Sequence, residues 1–92
     1  MTTIPCKVAK GMFSDEWSVE VIFSKRKRET FFVRKEKVYL DEELTDPAKT
    51  VSGEVEVVVV EEKGDRVLVD LLSPGITFGP RFSVPKSFLK EN

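Results

Sequence analysis

Apolar residues along this chain recur at every second position far more often than at every third or fourth. Residues 17–24 show this best: Trp17, Val19, Val21 and Phe23 alternate with Ser18, Glu20 and Ser24, and only Ile22 breaks the pattern. A period of two sends successive side chains to opposite faces of a strand, so the segment predicts a β-strand with one buried face. Residues 54–61 predict a second strand, with Val55, Val57 and Val59 inward and Val58 and Val60 on the other face. Four consecutive Val there make both faces apolar, which predicts a strand covered on both sides or curled through the middle of a barrel. In residues 66–72, Val67, Val69 and Leu71 alternate with Arg66, Leu68 and Asp70. The polar link Glu62-Lys63-Gly64-Asp65 that precedes them supplies the glycine of a hairpin turn.

Residues 4–9, 30–40 and 80–84 are further strand candidates. Pro85 closes the last of these, at a strand end or sheet edge where a missing N–H does no harm. Residues 37–44 admit a turn of helix instead, because Leu40 and Leu44 are four apart, and Asp46-Pro47 would end it. Loops fall at 11–16, 25–29, 41–53 and 73–80. The spacing predicts one domain over residues 1–92 and an all-β fold: five or six antiparallel strands in a small, partly open barrel, which leaves few exposed sheet edges. At most a single helical turn is expected, near the C-terminus.

Two segments look alike. Phe31-Phe32-Val33-Arg34-Lys35-Glu36-Lys37-Val38 and Phe82-Ser83-Val84-Pro85-Lys86-Ser87-Phe88-Leu89 share Phe, Val, Lys and a final aliphatic residue at matched places 51 residues apart. Each follows an alternating region, so an internal duplication is one reading. The second segment also resembles the end of Src-homology-three domains, where a strand runs into a Pro, a helical turn, then an aromatic and an aliphatic residue. With the hairpin before it, the resemblance covers roughly 40 residues and implies a barrel of that kind. It does not imply that family's grip on proline-rich ligands. Residues 5–10 hold no aromatic where that family's first strand is Tyr-rich, and Trp17 precedes the acidic segment instead of following it.

Composition sharpens this. Val occurs fourteen times and Ala twice, a bias towards strands. A chain of 92 residues has material for one modest core and none for an enclosed cofactor cavity, so any site belongs on the surface. There is no His and no Gln, and the only Asn is Asn92. A general base would have to be a carboxylate or a Lys with a strongly shifted pKa, so the expectation is a noncatalytic protein with no cofactor and no metal. Cys6, between Pro5 and Lys7, lacks a His to complete a nucleophilic pair and reads as a small core residue. Asp41, Glu42, Glu43 and Asp46 lack the Gly-centred spacing of a calcium loop and read as a solvated acidic loop. A lone Cys forms no internal disulfide, and no apolar run approaches the roughly 20 residues that cross a bilayer. The expected setting is therefore cytoplasmic, away from membranes.

The net charge of −1 hides segregation. Residues 25–37 hold seven basic side chains against two acidic ones, whereas residues 38–65 hold nine acidic against two basic. Whether this separates charge in space depends on which strands pair.

Two functional surfaces follow. Met12 and Phe13 in one loop and Ile76 and Phe78 in another are large apolar residues where a small domain ordinarily exposes polar ones. Joined by Trp17, they predict a patch that binds another protein, with charges such as Arg81 orienting the partner; the same side chains could instead fold inward as lids of the barrel. The alternative surface is basic: Lys25, Arg26, Lys27, Arg28 and Arg34, with one of Phe31 and Phe32, chiefly Phe32, as a ring that stacks on the bases of single-stranded nucleic acid. A chain pairing a sheet edge with its own copy is a third reading, so the expected state is a monomer or weak dimer.

Overall fold

A computed structural model describes residues 1–71 and 81–91. Among these residues eight strands follow one another: β1 (Thr2–Lys10), β2 (Glu16–Ser24), β3 (Lys27–Arg34), β4 (Val38–Leu40), β5 (Val51–Lys63), β6 (Arg66–Leu71), β7 (Arg81–Pro85) and β8 (Lys90–Glu91). Two single 3₁₀ turns, Lys35–Lys37 and Lys86–Phe88, interrupt them. All neighbours pair antiparallel in one sheet of order β3-β2-β1-β5-β6-β7; β4 adds to β5 and β8 adds to β1. The sheet curls into a half-barrel around Ile4, Cys6, Val8, Val19, Val21, Val33, Val55, Val57, Val67, Val69, Leu71 and Val84, all buried.

The register explains that core. Ile4 faces Val55 across β1 and β5, Val8 faces Val19, and Val69 faces Phe82, so apolar positions of adjacent strands share the concave face. Val19 opposite Phe31 turns Phe31 inward and leaves Phe32 outside. The end strands β3 and β7 exchange no backbone hydrogen bonds among the described residues. Side chains join them instead: the Phe31 ring stacks on Phe82 at 5.4 Å, and Phe23 meets Phe82 edge-on at 5.1 Å.

Several local expectations change. Val58 and Val60 are not covered but exposed, because a single curled sheet has one core face and no second layer of described residues packs on the other. Val60 lies in a bulge of the β5–β6 ladder, between Val59 and Glu61. The predicted strand 30–40 is broken by the turn at Lys35–Lys37, and 37–44 forms no helix. Residues 25–29 are mostly strand, since β3 starts at Lys27, and β5 begins at Val51 inside the predicted loop 41–53. The link 62–65 does close a hairpin, with Gly64 at φ +65°, a left-handed conformation that costs glycine nothing. The six strands of the main path match the expected number, and the turn at Lys86–Phe88 follows Pro85 as anticipated. Among the described residues, no helix is long and apolar enough to cross a membrane.

Candidate functional site

The connection from β1 to β2 is where apolar side chains leave the core. The strands part after the pair Lys10 and Trp17. At Gly11 the backbone passes so close to the Glu16 carbonyl that an added Cβ would lie 2.6 Å from its oxygen. The Glu16 N–H donates to the Phe13 carbonyl at 3.3 Å, and the Lys35 N–H donates to the Asp15 carbonyl at 3.0 Å, which ties this tip to the 3₁₀ turn after β3. Met12 and Phe13 stand on the tip with 75% and 68% of their surface exposed, so they are not lids folded inward.

Trp17 is half-buried, and the Lys35 ammonium sits 4.2 Å from its ring centroid, a cation–π contact that holds the indole in place. Phe13 and Trp17 share a cleft of about 240 Å³ with Lys10, Lys35, Leu44 and Pro47. The structure thus brings Phe13 and Trp17 together beside Met12. Ile76 and Phe78 lie outside the described residues. Arg81 pairs with Asp70: its guanidinium donates to both carboxylate oxygens, at 2.7 and 3.0 Å, across β6 and β7. That hydrogen-bonded pairing holds the Asp70 carboxyl below its ordinary range and raises Arg81. Leu44 and Pro47 escaped sequence reasoning because they reach the cleft from a distant loop; the only signal was one apolar residue, Leu44, among acidic neighbours.

Lys25, Arg26, Lys27 and Arg28 gather at the opposite end of β2 and β3, whereas Arg34, paired with Glu16, lies beside the tip. Lys25 and Arg26 form the β2–β3 turn, where the Arg26 N–H donates to Ser24 Oγ at 3.4 Å. Lys27 lies 5.7 Å from the Phe23 ring centroid, and Arg28 reaches Glu20 at 3.9 Å. Lys25, Arg26 and Arg34 make no ion pair with a described residue. Alternate positions of β3 put Arg28, Phe32 and Arg34 on one outward row, with Phe32 48% exposed. Two strands separate β3 from the acidic β5, and among the described residues the only ion pair between the basic and acidic segments is Lys37 with Glu56, 3.7 Å. Along the sheet, the basic β3 is thus kept apart from the acidic β5.

Cys6 is in the core, 7% exposed. Burial, with the carboxylates of Asp41 and Glu54 adding to it, pushes its thiol up to about 12, so it stays protonated and a poor nucleophile at neutral pH. It underlies a groove of about 530 Å³ bounded by Pro5, Lys7, Ile22 and Phe88. Among the described residues, no three His, Cys, Asp or Glu side chains come together in a way that could hold a metal ion. Comparison of the chain with protein-family models, with curated proteins and with solved structures returns no match.

Proposed function

We propose that this is a noncatalytic, cytoplasmic interaction module that binds another protein through the β1–β2 tip. One observation carries the reading: Phe13, exposed next to the exposed Met12, lines a cleft that contains the held indole of Trp17. Exposed neighbouring apolar side chains gain about 25 cal/mol for each Å² a partner removes from water, and an immobilised aromatic loses little entropy in doing so. A photoreactive residue placed at Phe13 should cross-link one cellular protein, and the same residue at Lys63, on the polar β5–β6 tip, should not. The adduct should vanish when Met12→Ser is added. Equal labelling from both tips refutes the proposal.

A second reading rests on the exposed row of β3. Phe32 flanked by Arg28 and Arg34 suits a single strand of nucleic acid, with phosphates on the cations and a base on the ring. If all three take part, affinity for labelled single-stranded RNA should fall with salt at a log–log slope near −1.4, the value for two phosphate contacts. No binding at low salt rejects this reading.

A further inference from the structure

The strand pairings repeat themselves. The pair Val8 and Val19 in β1–β2 corresponds to Val59 and Val69 in β5–β6, and Val19 and Phe31 correspond to Val69 and Phe82. Val33 and Val84, both buried, precede the two 3₁₀ turns, which have the same entry geometry: φ −60°, ψ 141° at Arg34 and φ −58°, ψ 141° at Pro85. The N–H that opens each turn donates to the carbonyl of an Asp in the preceding hairpin, Lys35 to Asp15 at 3.0 Å and Lys86 to Asp65 at 2.7 Å.

The short strands make the strongest point. β4 pairs with β5 as Tyr39 with Glu54 and Leu40 with Gly53; β8 pairs with β1 as Lys90 with Thr3 and Glu91 with Thr2. Advancing each residue of one set by 51 positions along the chain, and returning its partner by 51, gives the other set. Each half lends its last strand to the first strand of the other. The same operation exchanges Ile4 with Val55, partners in the β1–β5 ladder, and Phe31 with Phe82, stacked across the seam between β3 and β7. A dyad through both pairs accounts for all these registers. Chance similarity of β-sheets does not reproduce exchanged strands, equivalent turns and matched carbonyl acceptors together.

We infer that the chain is a fused dimer of one β-β-β-turn-β unit, residues 2–40 and 53–91, and that the long β1–β2 tip is an elaboration carried by only one copy. The two tips differ in length. Between Lys10 and Trp17 lie six residues, 11–16; between the equivalent pair, Glu62 and Val67, lie four, 63–66, in a tight turn through Gly64. The unit closes this hairpin without Met12 or Phe13, so the fold does not need them. The functional part of this inference rests on the interaction reading above.

Two measurements test it. The first replaces residues 11–16 with a copy of residues 63–66, whose Asp brings the carbonyl that the Lys35 N–H requires. The graft should fold with a melting temperature within about 5 °C of the parent, a change of about 1 kcal/mol, and should lose the cross-linked partner, read from a probe at Trp17. An unfolded graft overturns the inference, because the units would not be interchangeable. A folded graft that keeps its partner leaves the duplication standing and removes the binding role of the tip. The second is a circular permutant opened between Ala48 and Lys49, with Asn92 joined to Met1 by a short Gly-Ser linker. The dyad makes the termini and the 41–50 connection equivalent openings, so the permutant should fold as a monomer with the parental circular dichroism. Failure to fold overturns the equivalence.

Discussion

Closing a sheet with side chains rather than backbone hydrogen bonds has a measurable consequence at Phe82. Its ring lies 5.1 Å from Phe23, inclined at 70°, and 5.4 Å from Phe31, inclined at 13°. Both geometries are ones that aromatic quadrupoles favour. A Phe side chain offers roughly 200 Å²; hiding about 120 Å² of it at about 25 cal/mol per Å² contributes about 3 kcal/mol. The two ring contacts add about 0.5–1.5 kcal/mol each. Phe82→Ala should therefore lose about 3 kcal/mol after the remaining methyl and local relaxation are allowed for. A domain of this length is stable by about 5–14 kcal/mol in total, so the variant should still fold, with a melting point lower by about 10–20 °C.

The sharper test is a cycle of Phe31→Leu, Phe82→Leu and the double variant, which keeps apolar bulk and removes ring geometry. Guanidinium unfolding followed by the fluorescence of Trp17, the single Trp, should give a coupling of about 0.5–1.5 kcal/mol. Amide exchange in β3 and β7 should accelerate together in the double variant while the β1–β5 ladder stays protected, since only the seam is weakened. A coupling below about 0.3 kcal/mol, within the scatter of independent sites, refutes the argument that the rings hold the end strands together.

Two further outcomes are expected. Cys6 should resist a thiol reagent in the folded protein and react only at the rate of unfolding; because its folded pKa of about 12 lies above the ordinary 9.0, its contribution to stability should be constant below pH 9 and decline as pH rises from 9 towards 12, and Cys6→Ala should remove that part of the alkaline loss in a pH series of chemical denaturation. Gly53→Ala should cost about 1–3 kcal/mol, because the new Cβ would stand 2.7 Å from the Tyr39 carbonyl oxygen and 3.1 Å from Val8 Cγ2, and an unchanged unfolding midpoint would show that β4 shifts freely.

The pattern of residues alone located most strands, the Gly64 turn and the burial of Cys6, because each depends on local periodicity or on a single backbone preference. The missing His and the charge segregation were equally legible in composition. Tertiary structure decided which of Phe31 and Phe32 points inward, since that follows from the pairing of β3 with Val19 and a slip of one residue reverses every face. It decided that the Val run is half exposed, because one sheet curls upon itself without a second layer among the described residues. The matched octapeptides hinted at a repeat, but only the pairing of β4 with β5 and of β8 with β1 displays the dyad. Exchange of strands between units is a relation across 51 positions, and it leaves no mark on neighbours along the chain. The outward stance of Met12 and Phe13 was of the same kind: the sequence placed them in a loop, and the closing of the core by other side chains left them in water.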